Sequence, residues 1–189
     1  MKFHDNDLIT RLYEVNNICS VYYVDCTKVW ITNLPFVLNL IKDRDIFEIG
    51  PGRSGGLANI LLENGAKSYV GVDIDWLAVE HSKIIAPKAN FILEDPLYVL
   101  NHLKSFYLDE PNKHLLFVSS GVIDNDVLFS DSYISKLIKS ISKATPIDGY
   151  NIHSANMLRK YFNIYFEKTG LVPQNIGWTD SFEVYKRIK

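Results

Sequence analysis

Cysteine is scarce: Cys19 and Cys26 are the only two in 189 residues. That is too few for a disulfide framework, and both read as buried free thiols in apolar surroundings. Long apolar runs are missing as well. No stretch approaches the roughly 18 uninterrupted apolar residues of a membrane span. Met1 to Asp7 lacks the apolar core and small-residue cleavage site of a signal peptide, so a cytoplasmic protein with no membrane partner is expected. An excess of one charge is absent too. The formal charge is −2 and no basic stripe stands out, so no nucleic-acid partner is expected. Lys136, Lys139 and Lys143 recur at helical spacing and read as a solvated face. There is no internal repeat and no low-complexity linker. No His/Cys/Asp cluster has metal-ligand spacing, which predicts no metal site.

What is present is an ordinary globular composition, with 47% apolar and 22% charged residues. The length suits one domain with a full hydrophobic core. The most informative stretch is Ile46-Phe47-Glu48-Ile49-Gly50-Pro51-Gly52-Arg53-Ser54-Gly55-Gly56. An apolar run carries one carboxylate near its end and then breaks into a glycine-dense turn. Leu57 to Leu62 follows as the start of a helix. Glycine permits the positive φ and close backbone approach of such a turn, and the helix start offers unpaired N–H groups. The loop alone admits any ligand with a nucleotide-like body.

Gly50, Gly52 and Gly55 satisfy the G-x-G-x-x-G spacing, and Asp73 stands at about the twenty-residue distance of a ribose-binding acid. A pyrophosphate brings negative charge into the loop, where Glu48 works against it. S-adenosylmethionine carries a sulfonium and an ammonium instead, and Glu48 suits it better. Arg53 pulls the other way. Ser68–Asp73 reads as a second strand ending in acid, and Asn90–Asp95 as a third. In a parallel sheet such ends gather at the carboxyl edge, where ligands bind. Carboxylates there accept hydrogen bonds from ribose hydroxyls and from an exocyclic amine.

This ordered set, over about residues 44 to 125, resembles the class I S-adenosylmethionine-dependent methyltransferases. The resemblance implies cofactor contacts at Glu48, Gly50, Pro51, Gly52 and Gly55 in the first loop. It implies further contacts at Asp73 and Ile74 after the second strand, at Asp95 and Pro96 after the third, and at Ser119 ending the fourth. Glu48 and the glycines are expected on the methionine part, Asp73 on the ribose and Asp95 on the adenine amine. Pro96 departs from the pattern: the residue after the adenine acid usually gives its backbone N–H to the ring, and proline has none. Either Leu97 supplies that donor or adenine is held differently.

The fold expected is α/β, doubly wound around a mostly parallel seven-stranded sheet, with an antiparallel C-terminal hairpin and a helical N-terminal segment. Residues 1–43 form a cap or lid, with a helix over 5–19, a second from Pro35 to Lys42, and Tyr13, Tyr22, Tyr23 and Trp30 over the substrate or against the sheet. Residues 44–189 form the cofactor-binding domain. Within it, helices are expected over 56–64, 76–85, 97–106, 132–143 and 155–168. Strands are expected over 68–73, 90–94, 114–119 and 147–152, with a terminal hairpin of 173–178 and 182–188.

Methyl transfer from a sulfonium is in-line displacement and asks chiefly for geometry and exclusion of water. A base is needed only where the acceptor must lose a proton. Candidates are Asp124 after the fourth strand and Tyr150 and His153 around the fifth. His153 ranks first because its ordinary pKa lies near neutrality, although a structural role for it stays open. The Asn-Pro-Pro-Tyr type motif of many nucleic-acid amino-methylases is absent, and Ser119-Ser120-Gly121-Val122 stands there instead. The expected activity is transfer of a methyl group to an O or N of a small molecule. The alternatives are transfer of an aminocarboxypropyl or aminopropyl group, or a non-catalytic partner or sensor domain. A nicotinamide-dependent oxidoreductase is disfavoured by Glu48 and by the chain length.

Overall fold

The fold is given by a computed structural model, which describes residues 35–52, 55, 57–103, 115–119, 130–154, 159–169 and 182–189. The expected helix over 5–19, Asp124 and the 173–178 arm lie outside the described residues.

Helix α1 (Pro35–Ile41) leads into strand β1 (Asp45–Ile49), and helix α2 (Ala58–Glu63) into β2 (Ser68–Asp73). Helix α3 (Trp76–Ile85), β3 (Asn90–Leu93), α4 (Pro96–Asn101) and β4 (Leu115–Ser119) follow. Then come α5 (Asp131–Ala144), β5 (Tyr150–Ser154), α6 (Arg159–Phe162), β6 (Phe166–Lys168) and β7 (Phe182–Arg187). The seven strands form one sheet in the order β3-β2-β1-β4-β5-β7-β6. Strands β1 to β5 pair in parallel, while β7 runs antiparallel to both β5 and β6. This is the mostly parallel, doubly wound seven-stranded sheet with antiparallel C-terminal strands that the sequence predicts, although β7 pairs with Phe166–Lys168 where 173–178 is the expected arm.

Alternation along the strands divides the core into two layers. Ile46, Tyr69, Leu116, Val118, Ile152 and Val184 face α1, α2 and α3. Phe47, Ile49, Val72, Phe117 and Tyr185 face the layer that holds α4, α5 and α6. Helix α1 belongs to the first layer through buried Val37, Leu40 and Ile41. The C-terminal part of the expected 1–43 cap is thus built into the domain core. Helix α5 buries Ile134, Leu137, Ile138 and Ile141 and leaves Lys136, Lys139 and Lys143 exposed, as its spacing predicts.

Several boundaries differ from the expectation. Helix α4 ends at Asn101 rather than 106, where His102 N–H turns onto Val99 O. Strand β5 begins at Tyr150, because Asp148 has φ 63° and Gly149 N–H closes a turn onto Pro146 O at 2.8 Å. The expected helix over 155–168 ends at Phe162, and Phe166–Lys168 is a strand. Turn bonds from Tyr165 N–H to Phe162 O and from Ile164 N–H to Tyr161 O stop the helix. Phe162 and Phe166, four apart and both buried, mimic a helical stripe. One instead closes the helix and the other opens β6, with their rings 5.7 Å apart.

Candidate cofactor site

The carboxyl ends of β1, β2, β3 and β4 lie side by side, since Ile49 is opposite Val72 and Ser119, and Asp73 is opposite Leu93. The glycine loop leaves β1 at this edge. Gly50, Gly52 and Gly55 have φ of 67°, 65° and 77°, which a side chain would strain. Pro51 is buried and packs across Gly71 of β2. A Cβ at Gly71 would stand 2.9 Å from the Pro51 ring and 2.8 Å from Phe91. The loop therefore seats on the sheet through a missing side chain.

Two buried carboxylates hold the loop from beneath. Asp73 accepts Gly52 N–H on Oδ2 at 3.0 Å and Asp75 N–H on Oδ1 at 2.9 Å. Glu48 accepts Leu57 N–H at 2.9 Å and the Tyr69 hydroxyl on the same Oε2. One acid thus fixes the front of the loop and the other fixes the entry to α2. Ser82 Oγ of α3 adds a third tie, donating to Gly52 O at 2.9 Å. Burial pushes Glu48 up to about 7 and Asp73 up to about 6, partly offset in each case by hydrogen bonds to the carboxylate. Glu48 is 1% exposed, so it braces the loop rather than standing at its mouth.

At the neighbouring strand end, Asp95 caps α4 by accepting Leu97 N–H on Oδ1 at 2.8 Å. Pro96 stands buried at the first helical position, where a missing N–H costs nothing. The Tyr133 hydroxyl, from the first turn of α5, donates to the same Asp95 oxygen at 2.6 Å. Half-buried Ile74 joins Asp73 to Asp75, which caps α3 through Leu77 N–H.

The proton-acceptor candidates fare differently. Asp124 lies outside the described residues. Tyr150 begins β5, roughly 13 Å from its carboxyl end at about 3.3 Å per residue, so it is not on the ligand edge. His153 is fully buried, with Nδ1 hydrogen-bonded to Ser119 Oγ at 2.8 Å. Its ring lies 4.9 Å from Phe162 and 6.4 Å from Tyr185, and Nε2 has no hydrogen-bond partner. Burial drives its pKa down to about 3, which corrects the expectation of a base titrating near neutrality. Ser119 sits at the end of β4, with its hydroxyl engaged by that histidine.

Tyr69, Ser82, Gly71 and Tyr133 are site residues that the sequence motifs do not single out. Tyr69 had a signal: a carboxylate inside a buried strand needs a nearby donor, and an adjacent strand offered a tyrosine. Ser82 and Tyr133 come from distant helices and had none.

The donor and acceptor chemistry fits an adenosyl ligand. An ionised carboxylate offers about four lone-pair sites. The two N–H groups leave Asp73 capacity for ribose hydroxyls, and Asp95 keeps its Oδ2 side for an amine. A pyrophosphate in this loop would meet the negative charge of Asp73, which already holds Gly52 N–H.

No protein-family model matches the sequence, and no curated protein matches it in sequence. Solved structures do match its fold. A TehB-like S-adenosylmethionine-dependent methyltransferase from Corynebacterium glutamicum aligns at a TM-score of 0.58 and 16% identity, covering 97% of this chain and 98% of that one. The N-methyltransferase NodS from Bradyrhizobium japonicum, in complex with S-adenosylhomocysteine, aligns at 0.60 and 12%, covering 84% and 91%. An rRNA methylase from Streptococcus thermophilus aligns at 0.52 and 13%, covering 82% and 93%. The architecture is a Rossmann-like α/β sheet with ligand-edge acids. More narrowly, the chain has the fold of the class I S-adenosylmethionine-dependent methyltransferases.

Proposed function

We propose that this chain binds S-adenosylmethionine and transfers its methyl group to an O or N of a small-molecule acceptor. The observation that carries the reading is the pair of acids at adjacent strand ends, Asp73 and Asp95, beside a glycine loop held by Asp73 itself. Asp73 takes the ribose hydroxyls and Asp95 the adenine amine. Gly50, Pro51 and Gly52 give the methionine part a close backbone approach, with Gly55, Ile74 and Pro96 shaping the surrounding wall. Glu48 acts through the loop it holds.

When bound, the cofactor would supply a methyl group on a sulfonium, passed to the acceptor by in-line displacement with the thioether as leaving group. The chain's own task is to hold donor and acceptor in line at the end of β4, by Ser119, and to keep water out. His153 stays neutral there and orients the Ser119 hydroxyl. Where the acceptor must lose a proton, Asp124 is the candidate that takes it. The cofactor domain comprises residues 44–189 together with α1, which packs into its core. A formal charge of −2 supports a small acceptor over a polyanion.

The test uses cofactor labelled in its methyl group, with pooled small amines and hydroxylated metabolites in one arm and RNA or protein extracts in another. Label in the small-molecule pool is the expected outcome. Label confined to RNA or protein overturns the acceptor class. Tight binding without transfer in any arm overturns the enzymatic reading.

A further inference from the structure

Among the described residues, the corner of the site around Asp95 is short of hydrogen-bond donors. Adenine presents a 6-amino donor and the N1 acceptor side by side on one edge. A carboxylate meets the amine and offers nothing to N1. In this chain the backbone around Asp95 is already committed. Asp95 N–H donates to Glu94 Oε1 at 2.8 Å, Pro96 has no N–H, and Leu97 N–H turns back onto Asp95 Oδ1 at 2.8 Å. The remaining described donor on the carboxylate is the Tyr133 hydroxyl, 2.6 Å from Oδ1.

We propose that the Tyr133 hydroxyl, in place of a backbone N–H, is the donor that reads adenine N1. The inference rests on the adenosyl reading of the site above. Without ligand, the hydroxyl donates to Asp95. With adenine present, the 6-amino group donates to the carboxylate and the Tyr133 O–H turns to N1, so each group stays satisfied. A buried N1 left without a donor would cost binding, which makes Tyr133 a specificity-determining residue. Its place in the first turn of α5, three residues after the Ser130 cap, sets the hydroxyl beside the end of β3. It also ties recognition of the base to the helix that follows the β4 edge.

The experiment measures affinity of the wild type and Tyr133→Phe for S-adenosylhomocysteine and for its 1-deaza analogue, in which a C–H replaces N1. Wild type is expected to prefer the natural compound by about tenfold, the scale of one hydrogen bond. Tyr133→Phe is expected to lose that factor for the natural compound only, so that the two ligands bind alike. Equal weakening of both ligands by the substitution overturns the inference, since it would mean that Tyr133 only positions Asp95. A wild type that binds both equally overturns it as well. A wild type that binds neither overturns the adenosyl reading itself. Thermal unfolding of both proteins checks the fold, and loss of one half-buried hydroxyl contact is expected to leave the transition cooperative.

Discussion

Asp73 and His153 show how burial sets what a residue does. Both lie at the carboxyl edge and both are buried, yet the same low-polarity surroundings act on them in opposite senses. Desolvation disfavours the charged form, raising the carboxyl and lowering the imidazole. For His153 this predicts a ring that stays neutral throughout the working range. In an NMR titration of isotope-labelled histidine, one imidazole is expected to show no ionisation between pH 8 and 4.5. Titration of all five histidines near 6.5 would contradict that. For Asp73 the acid form gives up acceptor capacity at the ribose. Adenosyl affinity is therefore expected to fall as pH drops through about 6, and Asp73→Asn is expected to flatten that dependence.

At the scale of elements, the first half of the sheet was legible and the second half less so. Strand β1, the loop and the acids of β2 and β3 announce themselves because local chemistry fixes them: glycines where φ is positive, a carboxylate where each strand stops. Helix α5 was legible from its spacing. The β5 start and the α6–β6 turn were not, since a left-handed Asp148 and a buried Phe162–Phe166 pair depend on tertiary packing. The brace under the loop was legible only in part. Glu48 stood out, but its partners Tyr69 and Leu57 N–H come from the pairing of β1 with β2 and from the entry to α2. Gly71 makes the most direct element-scale test. Gly71→Ala drives a methyl group into Pro51 and Phe91, so a loss of about 1–3 kcal/mol is expected from denaturant unfolding. The same change unseats Pro51, so adenosyl affinity is expected to fall with stability.

For the whole molecule, the two braces make stability depend on pH in a defined direction. Glu48 and Asp73 have folded pKa values of about 7 and 6, above their ordinary values, so the folded chain binds more protons than the unfolded one in that range. Their contribution is full at acid pH and is lost as pH rises through these values. His153, depressed to about 3, acts oppositely and removes stability as pH falls below its ordinary 6.5. Above pH 6.5 the carboxylates govern. Unfolding free energy is expected to fall by roughly 1 kcal/mol from pH 6.5 to 8 in the wild type, most of it from Glu48, and to vary less in Glu48→Gln. A Glu48→Gln profile parallel to the wild type would show that Glu48 ionises without cost. If Asp73 takes the ribose as proposed, binding and stability pull apart there, because the ionised form that accepts the hydroxyls is the one whose burial costs stability.

The central claim is that this loop and these acids hold an adenosyl ligand that has no phosphate. Titration calorimetry of the purified chain with S-adenosylmethionine, S-adenosylhomocysteine and NAD, repeated on Asp73→Ala, tests it most directly. Micromolar binding of both adenosyl ligands is predicted, weakened at least tenfold by the substitution, with no heat from NAD. Binding of NAD alone, or adenosyl affinity indifferent to Asp73, would contradict the account.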